Sequence, residues 1–288
     1  MSVSEIVTRS IIEIMRNEQT LVWKSKRFGL DKCNFNRRKP YSVLNQLLLS
    51  GDDNRFYLTR KEIKSLGKVY DAGCNKPIIT FWKIYEKETG NIVNGKPEVQ
   101  KIPVLRFYNV IGIDNIIDFD QDISPLDMTP DIPIDEFVFR SGANFQVRDN
   151  LTVAKYDPET DTIFTPPKED FDDVNEYYYD LTSALVRWTS GKDRIKGRDP
   201  EDTNRFGMER LISEIGSAMI LKAYNMTWED RIGDTALHVI NGWCNAMEEN
   251  ENLIIYAASR AEKAVSFLRG EKDFESVNVF DAIRGLAT

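Results

Sequence analysis

The sequence predicts an α+β fold in two parts, a small N-terminal α+β domain followed by a mostly helical domain. Three observations predict it. The chain has 288 residues, and at roughly 150 residues per domain that length suggests two domains. Charge divides along it: residues 1–110 hold 20 Lys+Arg against 11 Asp+Glu, whereas residues 111–288 hold 18 against 35, so a segment of +9 precedes one of −17. Periodicity divides as well, with strand-like alternation concentrated after Lys76 and helical spacing dominant beyond residue 172. At 41% hydrophobic and 29% charged residues, the composition is that of a globular chain able to bury a core without disulfides or metals.

Each element follows from local pattern. Residues 4–18 carry Val7, Ile11, Ile14 and Met15 at helical spacing, with Ser4 as the expected N-cap. The next stretch, WKSKRFGLDKCNFNRRKPY, mixes turn residues with no period and reads as a long loop. Residues 41–49, following Pro40, read as a short helix, and Thr59 with Glu62 forms a capping box opening a helix over 60–66, ended by Gly67. IITFWKIYEKETG and NIVNGKPEVQKIPVLRFYNV are rich in β-branched and aromatic residues and read as a hairpin with a long tip. Residues 111–149 hold IDNIIDFDQDISPLDMTPDIPIDEF, acidic and interrupted by Pro, and read as a connection. LTVAKY and TIFTPP then read as a hairpin around DPETD, followed by helices near 172–190, 205–224, 229–248 and 250–269. The expected divisions are thus a basic domain at 1–110, an acidic connection at 111–149, a helical domain at 150–270 and a tail at 271–288.

Composition excludes several chemistries. Cys33, Cys74 and Cys244 form no CxxC pair, which argues against a disulfide framework and for a reducing, cytoplasmic setting, the host cytoplasm for a viral protein. His238 is the sole histidine, whereas catalytic zinc sites generally take two or three; within LHVINGW it reads as a hydrogen-bonded structural residue. No apolar run approaches the roughly 20 residues that span a bilayer. The opening MSVSEIVTRS lacks the regions of a signal peptide, so neither membrane insertion nor export is expected. The Asp runs (Asp118, Asp120, Asp122; Asp170, Asp172, Asp173) read as solvated loops or caps more readily than as Mg²⁺ ligands, and with no phosphate-binding loop no cofactor is expected.

Single-stranded nucleic acid is held by cations that follow the backbone and by rings that stack on unpaired bases. Three groups supply both. The first spans Trp23, Lys24, Lys26, Arg27, Lys32, Phe35, Arg37, Arg38, Lys39 and Tyr41, although a solvated loop with buried aromatics has the same composition. The second is Arg55, Phe56, Tyr57, Arg60, Lys61, Lys64 and Lys68, whose cations at 60/61, 64 and 68 fall on adjacent turns of one helix face. An ordinary exposed helix face looks alike. In the hairpin, alternation puts Phe81, Lys83, Tyr85 and Lys87 on one face, opposite Arg106, Phe107 and Tyr108, and Trp82 with Ile84 on the other. The former face is a candidate stacking platform, though core aromatics account for part of it.

Several segments, taken in order, resemble the ArdC-type antirestriction proteins, a family whose N-terminal single-strand-binding domain is shared with plasmid-encoded primases. PYSVLNQLLL resembles the family's Pro-Tyr-x-x-x-Asn-x-x-Leu-Leu signature, RFYLTRKEIKSLGKVYDAG its Leu-Thr and Gly-x-x-Val segment, and VLRFYNV its Tyr-Asn-Val strand. YDPETDTIFTPPKEDFDDVNEYYYDLTSALVRWTSGKDRI and MERLISEIGSAMI resemble the first helix region and the Glu-rich second helix of its second domain, so the likeness runs over residues 5–268. The resemblance implies a zincin-like metallopeptidase fold there, with His-Glu-x-x-His just before Trp-Thr-Gly. This chain has Ser183-Ala184-Leu185-Val186-Arg187 before Trp188-Thr189-Ser190. Ser183 and Arg187 stand at the two His positions and Ala184 at that of the Glu base, so two zinc ligands and the base are missing. Glu209 and Glu214 remain on the next helix, but two carboxylates without imidazole do not make such a site. The expectation is a zincin-like domain lacking its metal site, with no enzymatic activity and kept for binding or assembly.

A single-strand-binding domain joined to such a domain is also similar to the single-stranded-DNA-binding RNA polymerase cofactors (Drc) of lytic phages. The leading expectation is therefore a non-enzymatic, largely sequence-independent single-stranded DNA-binding protein of a phage, supporting RNA polymerase recruitment or replication and prone to self-association. The alternative is an antirestriction protein or host-nuclease inhibitor acting by protein contacts. Residues expected at the strand are Trp23, Lys24, Lys26, Arg27, Arg37, Arg38, Lys39, Tyr41, Arg55, Tyr57, Lys61, Lys64, Lys68, Lys83, Tyr85 and Arg106.

Overall fold

Helix α1 (Val3–Glu18) forms on the expected stripe, with Val7, Ile11 and Met15 buried. Its cap is Ser2 and not Ser4: the Ser2 hydroxyl accepts the Glu5 N–H at 2.9 Å. Ser4 is already inside the first turn, where its hydroxyl instead donates to Asn252 Oδ1 at 2.8 Å. Helix α2 (Val43–Leu48) is buried along its whole length. Helix α3 (Arg60–Ser65) begins with both halves of its capping box, the Thr59 hydroxyl accepting from Glu62 N–H and Glu62 Oε2 accepting from Thr59 N–H at 2.8 Å. The chain leaves α3 through Gly67 at φ 66°, a left-handed turn that suits a residue without Cβ. The computed structural model describes residues 1–93, 96–120, 124–192, 194–226 and 234–271.

Three small sheets accompany these helices. Strands β1 (Cys33–Asn34), β2 (Phe56–Leu58) and β5 (Ile111–Gly112) form one in the order β1-β2-β5, parallel and then antiparallel. Strands β3 (Ile78–Val93) and β4 (Lys96–Asn109) form the expected hairpin, in register from Ile78↔Asn109 to Glu88↔Val99 and shifted beyond. Strands β6 (Asn144–Val147), β7 (Lys155–Asp157) and β8 (Thr162–Thr165) form the third, with β8 central, parallel to β6 and antiparallel to β7. The segment read as a connection therefore carries β5, β6 and helix α4 (Ile134–Arg140). Acids and Pro obscured them, yet Pro133 is the residue preceding the first turn of α4, where a missing N–H costs nothing. The loop read at 23–41 likewise contains β1, whose Cys33 and Asn34 pair with Phe56 and Tyr57.

Helices α5 (Val174–Trp188), α6 (Met208–Ala223), α7 (Asp234–Glu249) and α8 (Leu253–Leu268) complete the chain. Helix α5 packs on α6 and α6 on α8, while α1 packs on α7 and α8, so the first helix belongs to the same apolar core as the last four. A separate cluster of Cys33, Phe56, Leu58, Ile63 and Ile111 lies under the small N-terminal sheet. No helix among the described residues is long and apolar enough to cross a membrane. The expected tail, apart from Glu271, lies outside the described residues, as does Asp122.

The α5–α6 contact needs a residue without a side chain. A Cβ on Gly216 would fall 2.8 Å from Val186 Cγ1, and one position along, the hydroxyls of Thr182 and Ser217 meet at 2.7 Å. Gly216→Leu is expected to destabilise the protein by about 1–3 kcal/mol or more, because overpacking moves both helices. A urea titration reads this as a lower midpoint, and an unchanged midpoint would show that the helices separate freely.

Candidate nucleic-acid interface and the cleft of the helical half

The hairpin places its two faces differently. Thr80, Pro103 and Leu105 are buried against the body of the protein, whereas on the opposite face, beyond the buried Ile79, Phe81 (43% exposed) and Tyr85 and Tyr108 (each 37%) turn outward. Register puts Arg106 across from Phe81. The Phe81 and Tyr108 rings lie 5.6 Å apart, and Lys83 Nζ sits 4.9 Å from the Tyr85 ring centre. The Arg106 guanidinium donates to the Tyr85 hydroxyl at 3.0 Å and thereby draws its pKa below the ordinary value. Exposed rings thus alternate with cations on one surface, which is what strand stacking requires.

The loop leading to α2 adjoins this face. The Asn34 side chain accepts the N–H groups of Asn36 and Arg37, each at 3.1 Å, and so shapes the turn. Arg37 and Lys39 are exposed beyond it, and Arg37 is close enough to Tyr108 for its charge to oppose the upward push that burial gives that hydroxyl. Arg38, at φ 51°, lays its guanidinium 4.6 Å from the Phe56 ring centre. Lys61 and Lys64 are exposed on α3. These cations, with Lys83, Tyr85 and Arg106, are the expected residues that the structure leaves exposed, and Phe81 and Tyr108 of the candidate stacking platform lie beside them.

Other expected strand contacts are elsewhere engaged. Trp23 is buried, edge-on to Trp243 at 5.8 Å with its Nε1 directed at Glu214 (3.4 Å); it follows Leu21 and Val22 into the core. Lys24 lies 4.7 Å from the centre of the Tyr179 ring, within the helical half. Tyr57 is buried and donates to Asn54 O at 2.8 Å, because all of β2 faces inward. Arg27 is paired with Glu18 and Asp53, and Arg55 with Asp31 at 3.5 Å. Lys26 is exposed but apart from the hairpin, lining a recess with Arg27 and Arg55. Lys32 is buried between the carbonyls of Asp52 and Asn54, and burial pulls its pKa down to about 8. Lys68 lies past the end of α3, off the expected stripe, where it donates to Asp118 O. Tyr41 is half-buried against Tyr57 and Ile79. His238, expected inside, is exposed on α7.

The cleft of the helical half is a cavity of about 580 Å³ bordered by Ser183, Ala184 and Arg187 of α5, Arg210 and Glu214 of α6, and Trp243 of α7. Arg187 donates to Pro200 O at 3.0 Å and to Asp202 O, bracing the loop before α6. Glu209 is held by Arg198, with Nη2–Oε2 at 2.6 Å and both side chains enclosed. Glu214 accepts from Arg210 at 2.6 Å, from Tyr179 and from Trp23. Burial pushes the Glu214 carboxyl up, but Arg210 and Lys24 outweigh it and hold the pKa below the ordinary value. Zinc needs lone-pair donors in a tetrahedron; a guanidinium has none to give, and both carboxylates are taken by arginines. Among the described residues no group of three His, Cys, Asp or Glu side chains is gathered to hold a metal. These residues do not fit a zinc ion. Arg210 was legible as the i,i+4 partner of Glu214, whereas nothing local marks Arg198 as the partner of Glu209.

Comparison with known proteins follows the same division. Residues 1–111 match the family model for the N-terminal domain of the anti-restriction factor ArdC, and residues 133–260 that for a zincin-like metallopeptidase. The chain is 27% identical over 258 residues to the DNA primase TraC of Escherichia coli, a match covering 80% of this chain and 23% of the primase. The chain thus spans less than a quarter of that relative's length. It is 24% identical over 242 residues to the uncharacterized protein y4eC of Sinorhizobium fredii (strain NBRC 101917 / NGR234), covering 80% of this chain and 75% of that one. Among solved structures, metal-free antirestriction ArdC from plasmid R388 superposes with a TM-score of 0.72 at 24% identity, covering 96% of this chain and 98% of that one. Its Mn(II)-bound form gives 0.70 at 23%, covering 97% and 100%. The fold is shared.

Proposed function

We propose that this chain, which joins the N-terminal domain of the ArdC anti-restriction factors to a zincin-like domain, is an antirestriction-type protein that works by binding and not by peptide hydrolysis, holding single-stranded DNA on its hairpin. The observation that carries this reading is the outward face of β3 and β4, where Phe81, Tyr85 and Tyr108 alternate with Lys83 and Arg106. Phosphate contacts and ring stacking read no base edges, so affinity rests chiefly on charge and π-surface. The relatedness to a primase supports the strand-binding half of the reading. The non-hydrolytic half is supported by Ser183, Ala184 and Arg187 and by the arginine-bound state of Glu209 and Glu214. The acidic remainder of the chain, which phosphates repel, is the surface left for protein contacts, a host nuclease in an antirestriction role. No observation favours the narrower role at a phage polymerase.

Fluorescence anisotropy of the full-length protein with single- and double-stranded oligonucleotides tests it. Single strands are expected to bind more tightly, with log K falling against log[salt] at a slope near −3.5 if about five phosphates are neutralised, at roughly −0.7 per contact. Salt-independent binding would defeat the strand reading. In a restriction-protection assay, Arg37→Glu with Lys39→Glu should abolish protection if the strand is the target, and leave it intact if protein contacts alone carry it. Stoichiometric zinc bound at the cleft, together with peptidase activity, would overturn the non-hydrolytic half.

A further inference from the structure

We propose that the recess between the base of the hairpin and α8 receives one base of the bound strand, guanine above the others, read by the carboxylate of Glu262; this rests on the strand-binding reading above. The recess has a volume of about 360 Å³ and is lined by Tyr41, Ser42, Phe81, Trp82, Ser259 and Glu262. That is within the roughly 300–1,000 Å³ of pockets that take small ligands. Phe81 belongs both to the outward face and to this lining. A base displaced from the ring stack therefore enters the recess while its phosphates stay on the face.

The chemistry of the lining selects the base. Val43, at the start of α2, brings its N–H near enough to Glu262 to favour the charged form, and the N-cap of that helix, Ser42, makes no side-chain cap bond. A carboxylate has about four lone-pair sites, so most of its acceptor capacity remains open to the recess. Around the recess α2 brings Leu44 and Asn45, without charge, β3 brings Thr80, Phe81 and Trp82, and the segment before α2 brings Tyr41, whose hydroxyl is the other titratable group in the lining. Among the described residues Glu271 is the one other charge acting on it. Burial first, and Glu271 after it, push the Glu262 carboxyl up to about 7 against the pull of the Val43 N–H. A carboxylate that meets no cation among the described residues, in an aromatic-lined recess, suits a neutral partner with two parallel N–H donors. Guanine offers them on its Watson–Crick edge, adenine and cytosine offer a single amino group, and thymine turns carbonyl oxygens toward the acceptor.

The carboxylate form is required, and the group is protonated below about 7, so preference for guanine should grow as pH rises from 6 to 8. The experiment uses the full-length protein with oligo(dT) and with oligo(dT) carrying one dG at successive positions. At pH 8 one register is expected to bind about 10-fold more tightly than oligo(dT), the lower part of the discrimination a bidentate base contact provides, and the ratio should shrink at pH 6. In Glu262→Gln, which keeps an acceptor for Val43 N–H, the ratio is expected to fall to within twofold at both pH values, with the thermal midpoint reporting whether α2 remains capped. Retention of the preference in that variant, or its absence at every register in the wild type, overturns the proposal. Should oligo(dT) bind with the expected salt dependence and dG make no difference, the base pocket alone fails. Should no oligonucleotide bind, the strand-binding reading fails with it.

Discussion

Arg198→Met is expected to lower the stability of the protein by about 3–5 kcal/mol, the usual consequence of leaving a buried charge without its partner. Arg198 and Glu209 are 0% and 2% exposed at their side chains, so water cannot take the place of the missing guanidinium. Arg198 also donates to the Val186 carbonyl at 3.1 Å, at the end of α5, and Glu209 accepts the Asp199 N–H at 3.3 Å. The pair thus ties the α5–α6 loop to both helices. Burying two charges together gains little over apolar packing, so Arg198→Met with Glu209→Leu is expected to recover most of the loss. Urea denaturation of the three proteins distinguishes the cases through their midpoints at a common slope. A single variant within about 1 kcal/mol of wild type would mean that the loop opens and hydrates Glu209. The same pair bears on the proposed function, since the Glu209 oxygens already accept from Arg198 and from the Asp199 N–H.

Phe81→Ala combined with Tyr85→Ala is expected to weaken single-strand binding by roughly 2–6 kcal/mol, since each stacked base contributes about 1–3 kcal/mol. That is at least about a 30-fold loss of affinity. Both rings are on the outward face, so stability should change little; fully exposed or half-exposed positions rarely shift it by more than about 0.5 kcal/mol. Trp23→Phe and Tyr57→Phe make the contrasting set. Their side chains are buried, and Tyr57→Phe leaves the Asn54 carbonyl without its hydroxyl donor. These two variants should lower the melting midpoint and leave affinity per folded molecule unchanged. Wild-type affinity in the hairpin variant, or a specific loss of binding in the buried pair, would transfer the strand to another surface.

Local signals were legible wherever the physics is local. The Thr59–Glu62 box joins residues three apart, and both of its hydrogen bonds form. The α1 stripe and the four last helices repeat at helical spacing over several turns, and the hairpin alternates with period two; no distant partner is needed for either pattern. That Ser stands at 183 and Arg at 187, and not His, is likewise a matter of residue identity. Short elements were hidden for the opposite reason: β1 and β5 have two residues each, too few for a period, and form because β2 lies between them. The expected strand residues divided on the same ground. Trp23, Lys24 and Tyr57 have the composition of a nucleic-acid contact, but composition carries no direction.

Sequence by itself determined which groups this protein possesses: a basic front half with rings among its cations, an acidic back half, and a helix with Ser183, Ala184 and Arg187 and no histidine. Tertiary structure alone decided which of those groups meet water. The turn after α1 carries Trp23 and Lys24 into the helical half, while Phe81, Tyr85 and Tyr108 remain outside, because it is Ile79, Thr80, Pro103 and Leu105 of the hairpin that find a covering surface. Burial is a property of pairs of surfaces distant in the chain, and hydrophobic area leaves water only where a second surface covers it.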